Sequence, residues 1–199
     1  SIDTGMGLER IASILQGKTS NYETDLLVGL VDSMRNLIGK TELNNEQQLV
    51  ACQVIADHIR CASLLIADGI LPSNLGRGYV LRRILRRAIR YSYQLGLKDP
   101  VLYELVPQVV DLLGEAHPIF DNKTTSIQES IRREESSFLR TVHKGLEMLE
   151  SEVDRAKVNK SAELSAEVIF KLYDTFGFPR DLSEVILRDK GMFFDANGF

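Results

Sequence analysis

The stretch that decides the fold is GRGYVLRRILRRAIR (76–90), where six arginines fall within fourteen residues. On a helical wheel its side chains separate into two halves. The apolar half consists of Val80, Leu81, Ile84, Leu85, Ala88 and Ile89. The opposite half consists of Arg82, Arg83, Arg86, Arg87 and Arg90. The pattern predicts a helix that buries one face in a core and presents a stripe of guanidinium groups on the other.

The stripe is unusual because the whole chain carries a formal net charge of −4. No acidic residue lies between Ser73 and Gln94. Arginines four residues apart therefore repel one another, by roughly 0.2–0.5 kcal/mol per pair in an isolated helix. Two interpretations stay open. The one we favour is a surface for a polyanion, since guanidinium forks fit phosphate geometry. The other is an internal ion-pair network with distant acids, namely Glu129, Glu134 or Glu135.

Length and composition suit one large or two small soluble domains: 199 residues, 44% apolar and 26% charged. No apolar run approaches the ~20 residues of a membrane span, so no membrane partner is expected. The opening residues do not resemble a signal peptide, and the start at Ser1 suggests an excised piece. Cys52 and Cys61 form no disulfide or zinc pattern, which fits a cytoplasmic protein, and no metal site is predicted.

Apolar residues recur at helical spacing through nearly the whole chain, which predicts an all-α multi-helix bundle. Helices are expected over residues 8–16, 21–38, 44–68, from the turn 71–74 to Gly96, from Asp99-Pro100 to 113, and over 165–175 and 181–189. The charged stretch from Thr124 to Lys157 predicts an extended helix or a helical hairpin, with Gly145 as a weak point. Short strands are expected only in the first few residues and at 191–194. Two sub-bundles are predicted to divide near Asp121.

The opening segment DTGMGLER (3–10) places two glycines directly before a predicted helix. Gly5 and Gly7 let the backbone turn sharply and approach a ligand, and the free N–H groups of the helix face that turn. Arg10 lies early enough in the helix to reach a phosphate. Glycine pairs before helices are common, so this observation alone is a weak signal, and it favours Asp3 as a turn or cap residue.

Three long segments follow one another in a recognisable order. They are DTGMGLERIASILQGKTSNYETDL (3–26), IADHIRCASLLIADGILPSNLGRGYVLRRILRRAIR (55–90) and FKLYDTFGFPRDL (170–182). The first closely resembles the third signature motif of class II aminoacyl-tRNA synthetases, in the form seen in alanyl-tRNA synthetases. The other two resemble the helical tRNA-recognition region of the same family. The resemblance covers essentially the whole chain and implies an internal fragment. Residues 1–20 would end the catalytic domain, and 21–199 would form the helical tRNA-recognition domain.

The resemblance implies a role for each residue of the glycine turn. Arg10 matches the motif-three arginine that contacts ATP, so it is the implied catalytic residue, offsetting triphosphate charge during attack on the α-phosphate. Asp3 matches the aspartate that receives the amino group of alanine, and Gly5 and Gly7 shape the pocket floor. ATP, with Mg in the full-length enzyme, and alanine are the implied ligands.

The resemblance also implies how tRNA is recognised. Asn74 and Asp174 match the residues with which the family reads the G·U wobble pair in the acceptor stem of the tRNA for alanine. The minor groove of A-form RNA is wide and shallow, so short side chains reach it. The free amino group of a wobble G suits the carboxylate of Asp174, while Asn74 can both donate and accept. Without the resemblance, Asn74 would be a turn or cap residue and Asp174 an exposed charge.

The arginine helix would then position the stem through phosphate contacts. Its implied tRNA-binding residues are Arg77, Arg82, Arg83, Arg86, Arg87 and Arg90, with Arg77 and Arg82 or Arg83 nearest the Asn74 turn. Asp57, His58 and Arg60 are typical of the family. We favour a buried polar network that holds the helices for these three, over RNA contacts.

Two hypotheses from different classes follow. In the first, the chain is part of a class II ligase, and it is inactive alone because the first two class II motifs and the family's zinc-containing editing domain are absent. In the second, it is a stand-alone helical RNA-binding or adaptor module. The glycine turn favours the first, because a pure binding module has no use for Asp3, Gly5, Gly7 and Arg10.

Overall fold

The computed structural model describes residues 5–39, 46–159, 161–175, 178 and 180–195, with the side chains of positions 181 and 189 left aside. Within these ranges it confirms the all-α prediction, with eight α-helices and one small sheet. The helices are α1 (Leu8–Leu15), α2 (Val28–Leu37), α3 (Glu46–Ala67), α4 (Gly76–Gln94), α5 (Val106–Leu113), α6 (Thr124–Val158), α7 (Ala166–Asp174) and α8 (Arg180–Asp189). The strands are β1 (Glu163–Leu164) and β2 (Phe193–Phe194), which pair in parallel.

Contacts divide the chain into two compact units, Ser1–Ser136 and Ser137–Phe199. This boundary lies inside helix α6, whereas the sequence pattern suggests a division near Asp121. The separation of residues 1–20 from residues 21–199 stays a prediction.

In the first unit, helix α3 lies at the centre and packs against α2, α4 and α5. Small side chains at Ala56 and Ala62 on α3 and Ala88 on α4 are fully buried, which suits close approach of helices. By length and composition alone α3 could cross a membrane, with a mean hydropathy of 1.6. Its packing in the core of this unit accounts for that composition. The buried core also includes Met34, Ile55, Ile59, Leu81, Leu85, Ile89, Leu105, Val109, Ile127 and Ile131.

Two helix starts differ from the sequence prediction. Residues 21–38 are not one helix, because a short 3-10 helix at Asn21–Glu23 precedes α2. The side chains of Ser20 and Thr24 hydrogen-bond to nearby backbone there, which competes with the helical ladder. The start predicted at Asp99-Pro100 is also wrong. A 3-10 helix begins at Leu102 and leads into α5, and Glu135 of α6 supplies its cap.

In the second unit, the later part of α6 buries Phe138, Val142, Leu149 and Val153. The sequence is compatible with either an extended helix or a helical hairpin from Thr124 to Lys157, and the structure has one continuous helix there. Gly145 does not interrupt it, and a Cβ added there would overlap the Phe178 ring, which is itself buried.

Candidate functional site

The turn before helix α4 determines where Asn74 lies. Leu75 caps the helix in an extended conformation, and Gly76 follows with a φ of 57°. Gly78 needs to be glycine because a Cβ there would overlap the Ser73 side chain and the Leu71 carbonyl. The Ser73 N–H donates to the Gly78 carbonyl over 3.1 Å. Residues 71–73 therefore pack closely against the first turn of α4, and Asn74 is exposed.

Two arginines of the stripe converge on one carboxylate of α6. The Nε atom of Arg86 donates to Oε1 of Glu134 at 2.8 Å, and the Nε atom of Arg82 lies 3.3 Å from Oε2. The second contact is an ion pair without an aligned hydrogen bond. The Glu134 side chain is 7% exposed, whereas those of Arg82 and Arg86 are 24% and 33% exposed. This cluster carries two positive charges and one negative charge.

Arg82 also reaches the turn, where its Nη1 group donates to Oδ1 of Asn74. One guanidinium thus joins the Asn74 turn to the buried carboxylate of α6. This contact was not predictable from the sequence, because the eight-residue separation of Asn74 and Arg82 crosses a helix start and has no fixed geometry.

A second row of the stripe is exposed. It consists of Arg77, Arg83 and Arg87. The guanidinium carbon of Arg83 lies 5.8 Å from the centre of the Tyr79 ring, within cation–π distance. Val80, which the helical wheel assigns to the core, is 54% exposed beside this row. The next residue, Leu81, belongs to the same apolar half and is fully buried, so the edge of the buried face lies between these two residues.

Arg90 belongs to neither row. It is partly buried, and its guanidinium carbon lies 4.7 Å from the centre of the Tyr91 ring. Burial lowers the pKa of Arg90 from its ordinary value. Both interpretations of the stripe therefore have a counterpart on α4: an ion-pair cluster around Glu134 and a row of exposed guanidinium groups.

Asp174 is the last residue of α7 and is exposed. It lies in the second unit, whereas Asn74 lies in the first. Their joint role in recognition stays a prediction.

At the glycine turn, Asp3 lies outside the described residues. Gly7 caps α1 at φ −69°, a conformation open to any residue, and no atom of the described residues lies within 4 Å of a Cβ built on Gly5. Within the described residues, therefore, neither a positive φ nor a close contact requires glycine at these two positions. Within the described residues no side-chain cap hydrogen bond is formed at Gly7, and Arg10 is exposed in the first turn of α1. An anion suits this end of the helix.

Asp57, His58 and Arg60 of α3 form a polar network with a further member, Glu9 of α1, but the network is half-buried and not buried as the sequence suggests, since the Asp57 side chain is 41% exposed. The Nη1 group of Arg60 donates to Glu9 at 2.6 Å, and Nδ1 of His58 lies 3.1 Å from Asp57. The hydrogen bond with His58 lowers the pKa of Asp57. A bond to its own backbone N–H and the Arg60 contact lower the pKa of Glu9. The network fastens α1 to α3.

Glu135 was named from the sequence only as a partner for arginine, and the structure gives it another role. Its carboxyl is buried and accepts the N–H groups of Val101 and Leu102 at 3.1 and 3.2 Å. Burial raises the pKa of Glu135 to about 7, against the effect of these N–H bonds. Its sequence position beside Glu134 does not reveal this role. No group of three or more potential metal ligands occurs in the described residues.

Comparison with known proteins gives consistent matches. A sequence model of the family described as tRNA synthetases class II (A) matches residues 1–199. The alanine–tRNA ligase of Paracoccus denitrificans is 49% identical over all of this chain and 22% of that protein. That of Psychrobacter sp. is also 49% identical, over 21% of its length, and that of Bacteroides fragilis is 47% identical over 23%. The chain thus spans about a fifth of the length of these relatives.

Proposed function

Because the chain belongs to the class II tRNA synthetase family, we propose that it is part of an alanine–tRNA ligase, which joins alanine to tRNA with ATP. Its part in that enzyme is to recognise the acceptor stem and to form one wall of the site for ATP and alanine. The observation that carries the proposal is the 49% identity over all 199 residues. The exposed arginines beside the Asn74 turn provide a surface with the right charge.

Acceptor-stem recognition divides between specific and non-specific contacts. Asn74 and Asp174 read the G·U pair in the shallow minor groove, where the unpaired amino group of G donates to a carboxylate. Arg77, Arg83 and Arg87 contact phosphates and set the register of the stem without reading its sequence. The exposure of these three guanidinium groups supports this role. Arg82, Arg86 and Arg90 are more enclosed, which supports a smaller share of phosphate binding for them.

The beginning of the chain contributes to the site for ATP and alanine. Arg10 offsets triphosphate charge, and Asp3 holds the amino group of alanine beside Gly5 and Gly7. The exposed position of Arg10 in the first turn of α1 supports its role toward an anion. When bound with ATP in the full-length enzyme, Mg would supply positive charge that offsets the charge of the triphosphate. The isolated chain is expected to show no alanine-dependent pyrophosphate exchange. We place the full-length enzyme in the cytoplasm, like other parts of the translation machinery.

The test measures binding of the 199-residue chain to the tRNA for alanine and to the same tRNA with G·C in place of G·U. Each good contact with a base edge discriminates by about 1–3 kcal/mol, so the two contacts together are expected to give a preference of about a hundredfold for the G·U tRNA. Asp174→Ala should remove most of this preference and leave the salt dependence of binding nearly unchanged, because it touches no phosphate.

Equal binding of the two tRNAs by the unmodified chain would contradict the proposal. It would favour a stand-alone RNA-binding module instead, for which the exposed arginine row suffices. Lys171→Ala is a suitable control, since it removes an exposed charge from the same helix as Asp174. It should weaken both complexes alike.

A further inference from the structure

The contact between Arg82 and Asn74 fixes the orientation of the Asn74 amide. A guanidinium group has five N–H donors and no acceptor. The atom of the amide that faces Nη1 of Arg82 must therefore be the oxygen, as it is in the structure. The amide nitrogen, with its two N–H donors, occupies the other branch of an exposed side chain. Nothing in the described part of the chain accepts a hydrogen bond from that nitrogen.

Arg82 is itself anchored by an ion pair with a carboxylate of α6. Its Nε atom lies 3.3 Å from Oε2 of Glu134, whose other oxygen accepts from Arg86 at 2.8 Å. The carboxylate is nearly buried and belongs to α6. A free arginine side chain loses conformational entropy when it is fixed, and here the fold has already fixed it. The amide orientation is thus set before any ligand arrives.

We propose that Arg82, anchored on Glu134, is a positioning residue that makes Asn74 a hydrogen-bond donor toward the acceptor stem. The inference rests on the proposed function, and it narrows the role of Asn74, which by its chemistry alone can both donate and accept. Arg82 holds the oxygen on its own side of the amide, so the nitrogen, on the other branch, is the atom that meets the base pair.

A donor at this position has defined targets. The minor groove presents the N3 atoms of purines and the O2 atoms of pyrimidines as acceptors, and the amino group of G as the donor. Asn74 would then recognise an acceptor, and Asp174 would recognise the donor. The two side chains need opposite chemistry, so Asn74→Asp is not a mild change. Arg82 acts through Asn74, and it is not primarily a phosphate contact.

The experiment compares binding of the G·U and G·C tRNAs by Arg82→Ala, Asn74→Ala and the double variant. Arg82→Ala should reduce the preference for G·U by about tenfold, the effect of one lost base contact. In the Asn74→Ala background, Arg82→Ala should cause no further loss of preference, because a residue that acts through another is silent in its absence. Arg83→Ala is the matched control. It removes an exposed neighbouring arginine and should weaken both complexes equally, with the preference unchanged.

Arg82→Lys guards against loss of folding. It keeps the positive charge opposite Glu134, but one ammonium group cannot span both Glu134 and Asn74 as the guanidinium fork does. We expect it to lose preference and to keep the wild-type salt dependence. The inference is overturned if Arg82→Lys and Arg82→Ala keep the full preference while Asn74→Ala loses it, or if the losses add in the double variant. Absence of preference in the unmodified chain would overturn the proposed function and this inference with it.

Discussion

Glu134 and Glu135 are consecutive residues of one helix, both buried, yet they face opposite kinds of partner. Glu134 meets two guanidinium groups of α4. Glu135 meets the backbone N–H groups of Val101 and Leu102, where the 3-10 helix before α5 begins. Because neighbouring residues on a helix point about 100° apart, one carboxyl reaches α4 and the other reaches the segment before α5.

The difference shows that partner charge decides what a buried carboxyl does. Glu134 serves as the anchor of a charged cluster, because full charges compensate its removal from water. Glu135 has only dipoles for compensation, and the Glu104 carboxylate adds repulsion, so burial prevails and its pKa rises to about 7. Glu135 is therefore a cap for backbone whose charge state depends on pH, and Glu134 is a fixed part of the candidate tRNA surface.

Removal of the Glu135 carboxyl should have the largest effect on stability. Glu135→Ala leaves two N–H groups without an acceptor, and each unsatisfied buried donor costs about 1–3 kcal/mol. We expect the free energy of unfolding at pH 5 to fall by about 4 kcal/mol once the small cavity is included. Urea unfolding followed by circular dichroism measures this loss.

Glu129→Ala is the matched control for that measurement, since it removes an exposed carboxyl from the same helix. It should change the unfolding free energy by less than about 0.5 kcal/mol, as most surface substitutions do. A comparable loss in both variants would mean that the hydrogen bonds of Glu135 to the backbone contribute nothing specific to the free energy of unfolding.

The pH dependence of stability should be the next largest effect. The pKa of Glu135 rises from 4.5 to about 7 on folding. Below pH 4.5 the group is protonated in both states, and its stabilising contribution is complete. Between pH 4.5 and 7 the unfolded chain loses the proton and the folded chain keeps it, so stability falls as the pH rises. At 1.36 kcal/mol per pKa unit the loss totals about 3 kcal/mol.

Glu135→Gln isolates this contribution, because glutamine keeps the carbonyl acceptor and does not titrate. The difference in unfolding free energy between the wild-type chain and Glu135→Gln should change by about 3 kcal/mol between pH 4.5 and 7.5. Parallel curves for the two proteins over that interval would show that Glu135 does not titrate on folding.

The partners of Glu134 and Glu135 lie far away in sequence, and contacts of this kind limit how much of the fold the sequence predicts. Helices α3 and α4 are predictable from apolar periodicity and from Gly69 and Gly96, because those signals are local. The start of the 3-10 helix before α5 was not predictable, because the Leu102 N–H donates to Glu135, more than thirty residues away. A strand at 163–164 was missed for a related reason: two residues carry no period, and only pairing with 193–194 defines it.

The candidate site divides in the same way. The arginine stripe and its apolar partner face were visible in the spacing, apart from Val80. Which arginines stay exposed was not, since that depends on Glu134 reaching two of them from another helix. The polar character of the Asp57–Arg60 segment was visible, while its contact with Glu9 across 51 positions was not. Short-range sequence patterns predict the helices, whereas contacts between side chains of different helices determine which residues stay exposed at the candidate site.

Neutralising Glu134 should lower the free energy of unfolding less than the changes at Glu135 do, and it should strengthen tRNA binding. Glu134→Gln keeps one acceptor for Arg86 but loses charge compensation, so the unfolding free energy should fall by only about 1 kcal/mol, since both arginines are partly exposed. The released positive charge should strengthen tRNA binding and steepen its log–log salt dependence, by up to about 0.9 for one further neutralised phosphate on the duplex DNA calibration.

Glu129→Gln is the control for this measurement, because it changes net charge equally at an exposed position of α6. If both variants steepen the salt dependence alike, the effect is one of net charge, and Glu134 has no special hold on the arginine row. A steeper dependence in Glu134→Gln alone would mean that the carboxylate withholds one arginine charge from the RNA in order to hold Asn74 in place.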